Sequence, residues 1–253
     1  MKKEIIKQIK KIEETEKVRI IMAVEAGSRA WGFEGTDSDY DVRFIYVRPL
    51  KEYLRLDKTR DVLEFPIEGE LDFSGWDISK TLKLIYSSNP ALHEWLQSPI
   101  VYRKTAEVKE LEKLARKHFS RTRIVNHYYH IAFRHYQRFV AIKEKVRLKK
   151  YFYILRSLAA ALYAVRKDDI PPIEFDVLRS SEFPWEMNVI IDEMVRIKKE
   201  NDESRQIERI VELDIFIENM LKEINDNIQQ FQQAEAASWQ DLNRFFRKVV
   251  KNK

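Results

Sequence analysis

Isoleucines recur at helical spacing near the start of the chain. Ile5, Ile6, Ile9 and Ile12 are separated by Lys and Glu, so residues 2–16 are expected to form an amphipathic helix. The period then shortens. Residues 18–24 (VRIIMAV) are β-branched and apolar throughout, as a buried strand would be. Residues 41–47 (DVRFIYV) read as a second strand ending ahead of Pro49, and residues 61–74 as two short strands around Pro66 and Gly69. From Asp77 the spacing turns helical, first in ISKTLKLIY and then, after Asn89-Pro90, in ALHEWLQ. Beyond about residue 105 only helical periodicity is visible. It predicts helices over 105–117, 121–147, 149–166, 186–200, 205–231 and 236–250, with Pro171-Pro172 and Pro184 as breaks. There is no internal repeat, and the Gln- and Ala-biased stretch from Gln229 to Ala237 is too short to be low complexity. Strands first and helices later predict an α+β protein: a small mixed sheet within residues 1–100, then an all-helical domain over 101–253.

Composition narrows the chemistry. The 253 residues are 44% hydrophobic and 12% aromatic, enough for a real core. Cysteine is absent, which excludes disulfide scaffolds, cysteine zinc sites, iron–sulfur clusters and thiol nucleophiles. No apolar run approaches the roughly 20 residues a membrane helix needs, and the basic N-terminus lacks an apolar core like that of a signal peptide. A soluble, cytoplasmic protein without a membrane partner is expected. The net charge of +5 hides its distribution: residues 101–170 carry 18 basic and 6 acidic residues, whereas both flanks are net acidic. Such a block attracts phosphates and polyanions, or else is a lysine-rich solvated surface.

The densest candidate chemistry lies in the turn-rich stretch between the first two strands, which holds three of the five glycines. In extended backbone, residues i and i+2 face one way, so Asp39 and Asp41 project together. Two adjacent carboxylates repel, and a divalent cation resolves the conflict; hard oxygen ligands suit Mg²⁺ or Mn²⁺. Upstream, Gly27 lets backbone approach a ligand closely, and the Ser28 hydroxyl and nearby amides can hold phosphate oxygens. A short helix opening at about Ala30 would add partial positive charge. Either piece alone is weak. Gly-Ser after an apolar strand, followed at this spacing by Ser-Asp-Tyr-Asp leading into another apolar strand, is far more specific.

That arrangement resembles the DNA polymerase β-type nucleotidyltransferase superfamily, whose signature is Gly-Ser, about ten residues, then Asp-x-Asp. More of the chain joins the resemblance: Gly27-Ser-Arg-Ala-Trp-Gly-Phe, Ser38-Asp-Tyr-Asp-Val-Arg, Asn89-Pro-Ala-Leu-His-Glu-Trp-Leu-Gln-Ser-Pro and Lys149-Lys-Tyr-Phe-Tyr-Ile-Leu-Arg-Ser-Leu. Over roughly residues 18–180 these are similar to the nucleotidyltransferase family associated with RNA ligase and RNA repair. The resemblance implies a polymerase β-like catalytic domain, a helical C-terminal domain and a third carboxylate on a neighbouring strand. Glu70, Asp72 and Asp77 are the candidates; Asp77 suits a helix N-cap, and Asp72 is the choice. It also implies two-metal phosphoryl transfer from a nucleoside triphosphate (NTP), with Asp39, Asp41 and Asp72 as metal ligands and Gly27 and Ser28 holding the triphosphate. An RNA 3′ end is the expected acceptor.

Several residues read both ways. Arg43 shares the parity of Asp39 and Asp41, so it either neutralises the carboxylates or touches phosphate, and Arg29 sits beside the phosphate cradle. Residues 149, 153 and 156 share a helix face, making Tyr153 and Arg156 candidate nucleotide contacts, with Lys149 or Lys150 beside them. His127 and His130 share a face, but a core role outweighs zinc. Two competing readings stand beside RNA end addition: nucleotidylation of a protein or small molecule, and an RNA-binding module without catalysis.

Overall fold

The computed structural model describes residues 1–35, 38–57, 59–67, 69–200, 205–231 and 238–251. The fold is α+β, and its contacts divide the chain into two compact units. The first comprises Met1–Ala30, Asp39–Phe119 and Ala236–Lys253; the second comprises Trp31–Ser38 and Ser120–Glu235.

The first unit is built on strands β1 (Arg19–Glu25), β2 (Tyr40–Val47), β3 (Val62–Glu64), β4 (Leu71–Asp77) and β5 (Val101–Lys104). Their order is β3-β4-β2-β1-β5. Only β2 and β4 run parallel; the other neighbours are antiparallel. Helix α1 (Lys2–Glu16) precedes β1, the short α2 (Gly27–Trp31) follows it, and α3 (Leu50–Tyr53) follows β2. Then come α4 (Ile78–Tyr86), α5 (Pro90–Gln97) and α6 (Glu107–Lys117). The division between the units falls inside α2, after Ala30.

Strand parity sorts the side chains. Val42, Phe44 and Tyr46 of β2 and Phe73 of β4 pack with Ile5, Ile9 and Ile12 of α1. Ile45 and Val47 face the other way, into a core with Ile78 and Leu82 of α4, Trp95 of α5 and Leu111 of α6. Asp41, Arg43 and Asp72 therefore belong to this second face by the two-residue period. Asp77 caps α4, accepting the Ser79 N–H at 2.7 Å, and Asn89 caps α5 at the Leu92 N–H.

The second unit contains α7 (Arg121–Phe139), β6 (Lys145–Arg147), α8 (Leu148–Lys167), α9 (Phe175–Glu182), α10 (Trp185–Glu200), β7 (Gln206–Glu208) and α11 (Val211–Gln230). Its core is α8, whose Tyr151, Phe152, Leu155, Leu158 and Leu162 are buried, with α7, α9, α10 and α11 packed around it. Phe33 joins this core, stacking on Phe152 at 4.9 Å and meeting the Phe175 edge. Two expectations are corrected here, and the first is the helix anticipated over 205–231, which begins only at Val211. The helix anticipated over 121–147 ends at Phe139, and Lys145–Arg147 instead pairs with Gln206–Glu208 as an antiparallel ribbon. A three-residue strand with one buried side chain, Val146, is too short to show alternation in sequence. The last helix, α12 (Trp239–Lys251), belongs to the first unit, where Leu242, Phe245 and Val249 enter the α4–α6 core.

Candidate active site

The apolar run of β1 ends at Glu25, and the chain turns at once. Ala26 N–H donates to the Asp41 carbonyl at 2.9 Å, holding the start of α2 against the start of β2. Gly27 has φ +61°, and a Cβ there would lie 2.0 Å from Asp41 Oδ2. Both the left-handed backbone and the missing volume demand glycine. The space a side chain would fill is taken up by the Asp41 carboxylate. Ser28 follows in the first turn of α2.

Asp41 and Asp72 are direct cross-strand partners in the parallel β2–β4 pair. Their carboxylates converge on one group: Arg43 Nη2 donates to Asp41 Oδ1 and to Asp72 Oδ2, each at 2.7 Å, and Arg43 Nη1 donates to the Asp72 carbonyl. All three side chains are less than one-third exposed, so the attraction is not washed out by solvent. The other two candidate acids are elsewhere. Asp77 is the α4 cap and accepts the Tyr53 hydroxyl, with burial raising its carboxyl above the usual range. Glu70 sits in the turn before β4. Asp39 lies exposed, one residue ahead of β2, and its carbonyl accepts the Arg29 Nε–H at 3.2 Å. The Arg29 guanidinium stacks 3.8 Å over the Tyr40 ring, so Arg29 braces the segment that carries Asp39.

Beneath this face lies Glu25, which the sequence reading did not single out. It is fully buried, accepts the Asp41 N–H at 2.8 Å and accepts the Tyr102 hydroxyl. Burial raises its carboxyl, and the Asp41 charge adds to the rise. Ser98 Oγ donates to its carbonyl. A carboxylate closing the apolar run Ile20–Val24 was a signal available in sequence; Tyr102, far along the chain, carried none.

Among the described residues, no group of three or more His, Asp or Glu side chains forms a ready cation cage. Arg43 stands between two of the carboxylates. The donor set nonetheless fits a divalent ion. Two carboxylates reach a single positively charged nitrogen from adjacent strands, all ligands are hard oxygens, and Gly27 lets the Asp41 carboxylate lie close against the backbone.

In the second unit, the Lys150 ammonium lies 4.2 Å from the Phe139 ring centre and 5.6 Å from that of Tyr153. Tyr153 meets Trp31 edge-on at 5.8 Å. Arg156 is buried, with its guanidinium 4.3 Å over the Trp31 ring and Nη2 donating to the Ile173 carbonyl. Lys150, Tyr153 and Arg156 thus gather on one side of α8, and Arg156 supports Trp31 from below rather than facing solvent.

The sequence profile described as the RNA repair pathway DNA polymerase beta family matches residues 1–248. A protein of Bacillus subtilis (strain 168) described as uncharacterized protein YcgL is 38% identical over 257 residues, covering 99% of this chain and 96% of that protein. A crystal structure of a nucleotidyltransferase-like protein from Exiguobacterium sibiricum 255-15 aligns over 98% of this chain and 80% of its own. At 14% identity and a TM-score of 0.28, that likeness is too low to bear on fold or activity.

Proposed function

The chain belongs to the RNA repair pathway DNA polymerase beta family, a nucleotidyltransferase family, and on that premise we propose that it moves a nucleoside monophosphate from an NTP to the hydroxyl at an RNA 3′ end. The observation that carries the reading is the convergence of Asp41 and Asp72 on one cation position beside Gly27. Asp39 completes the carboxylate set through its spacing from Asp41. The RNA acceptor is supported by the repair association of the family and by the basic middle of the chain.

Two Mg²⁺ or Mn²⁺ ions held by Asp39, Asp41 and Asp72 would supply neutralisation of the triphosphate and acidification of the acceptor hydroxyl. The residues do the rest. Gly27 leaves room for the Asp41 carboxylate while its backbone approaches the triphosphate, and Ser28 offers its hydroxyl and amide to the triphosphate. Asp72 receives the proton of the acceptor hydroxyl as that oxygen bonds to the α-phosphorus. The bond from the α-phosphorus to the bridging oxygen breaks, and pyrophosphate leaves with its electron pair. Arg43 holds Asp41 and Asp72 together. Lys150 and Tyr153 are the nucleotide contacts proposed for the second unit, and Arg156 acts through Trp31.

An incorporation assay tests this. The protein, Mg²⁺ or Mn²⁺ and each α-labelled NTP are combined with and without tRNA and short RNA. Label is expected on RNA, with a loss of about 10³-fold or more in Asp39→Ala and Asp41→Ala, because each removes several kcal/mol of charge stabilisation. Label on protein or a small molecule would replace the RNA acceptor with another. RNA labelling that survives both substitutions would remove the carboxylates from the reaction.

A further inference from the structure

The second unit has a strongly basic concavity of which the proposed chemistry uses only Lys150. Two adjoining cavities, of about 690 and 490 Å³, share Phe139 and Lys150 in their walls. The larger is bounded by Arg134 and Arg138 on α7, the smaller by Lys143, Lys145 and Arg147 in and before β6. No carboxylate lines either cavity among the described residues. The sequence is equally one-sided, with seven Lys or Arg against a single Glu between residues 131 and 150.

This clustering has an electrostatic signature. Burial lowers the Lys150 ammonium below its usual range, and Lys149, Arg147 and Arg138 push it the same way. Burial likewise lowers the His135 imidazole, joined by Lys150, Arg134 and Arg138. Positive charges that disfavour one another mark a place where an anion would be gained cheaply. The Lys145–Glu208 ion pair at its edge is largely exposed, so exchange of the carboxylate for a phosphate costs little. Phe133, 40% exposed, stands at the lip of the larger cavity and stacks on Tyr129 with ring centres 5.9 Å apart.

We infer that this concavity binds single-stranded RNA, with Arg134, Arg138, Lys143, Lys145 and Arg147 along the phosphate backbone and Phe133 offering a face to an unpaired base. The choice of RNA rests on the end-addition reading; the surface itself does not. Five cations beyond Lys150, spread across two cavities, exceed what one triphosphate needs and suit successive phosphodiesters. A base face is available to Phe133 only in a single strand, because a duplex keeps its bases stacked inside.

The test is fluorescence anisotropy of a labelled, unstructured 12-nucleotide RNA with the full chain, in EDTA and without NTP. Arg134→Gln/Arg138→Gln and Lys143→Gln/Lys145→Gln are each expected to weaken binding about tenfold and to flatten the log–log salt dependence by about 1.4. Phe133→Ala is expected to weaken binding with the salt slope unchanged. Unaltered thermal midpoints establish that the variants fold. The surface is overturned if the wild type does not bind this RNA at low salt, or if both charge variants bind it as the wild type does. A duplex of equal length bound as tightly would overturn the single-strand assignment. Displacement by ATP at equal phosphate concentration would make the concavity a triphosphate site. The two readings separate cleanly. Incorporation into RNA with unaltered binding in both charge variants leaves end addition standing and removes the surface. Lost binding in those variants, with no RNA labelling by the wild type from any NTP, does the reverse.

Discussion

Arg43 is the residue on which the site turns. Two half-buried carboxylates on adjacent strands would repel, and the guanidinium between them offsets that repulsion with two charged hydrogen bonds. Removing it leaves Asp41 and Asp72 facing each other without a cation. Arg43→Ala is therefore expected to lose about 1–3 kcal/mol of stability in EDTA. Added Mn²⁺ should restore more stability to the variant than it adds to the wild type, because it takes up the same two charges. Denaturant unfolding with and without Mn²⁺ measures this, and equal Mn²⁺ effects in the two proteins would separate Arg43 from any cation position. Parity placed Arg43 with the carboxylates from sequence alone. Its contact with Asp72 became visible only once β4 lay beside β2, since 29 residues separate the two in the chain. The same holds for Glu25, whose contact with the Asp41 amide depends on the β1–β2 register.

At the scale of elements, local pattern accounts for most of what forms. The isoleucine spacing of α1, the apolar run of β1 and the Asp77 and Asn89 caps each act within a few residues, so each was readable. The β6–β7 ribbon was not, because three-residue strands gain their stability from a partner about sixty residues away. Helix α12 was legible as a helix, but its destination was not. Its apolar stripe of Leu242, Phe245 and Val249 would suit any apolar face, and it is the α4–α6 core that receives it. Phe245 is 1% exposed. Phe245→Ala is expected to destabilise the first unit by about 3–5 kcal/mol, through lost burial and the cavity left behind. Chemical denaturation followed by tryptophan fluorescence would show it; a change under 1 kcal/mol would mean that α12 is peripheral to the fold.

For the whole molecule, buried histidines set a pH limit. Burial holds His93 at about 4, with the nearby Arg116 charge acting in the same direction, and burial also lowers His118 and His135. A histidine whose folded pKa lies below its unfolded value of about 6.5 takes up a proton more readily when unfolded. Its contribution is complete above about pH 6.5 and is lost as pH falls toward 4. For His93, 4% exposed, this amounts to something on the order of 3 kcal/mol. The denaturation midpoint should fall between pH 7 and 4.5, and more steeply in the wild type than in His93→Gln. Identical profiles would show that His93 titrates alike in both states. No helix among the described residues is long and apolar enough to cross a membrane.

The sequence by itself determined the class of fold, the order of the longer elements and the Gly-Ser and Asp-x-Asp positions, because these depend on periodicity and on spacing along one short segment. Capping, a local rule, set Asp77 apart there, but alternation puts Glu70 and Asp72 on one face and does not separate them. Only the tertiary structure decided that Asp72 lies directly across from Asp41 and that one guanidinium holds both. It alone decided that Glu25 supports the Asp41 backbone, that Arg156 is buried beneath Trp31, and that five cations from α7 and the β6 region line one concavity. Each of these is a contact between segments distant in sequence. Such contacts follow from strand register and core packing, which many residues set jointly and no local pattern records.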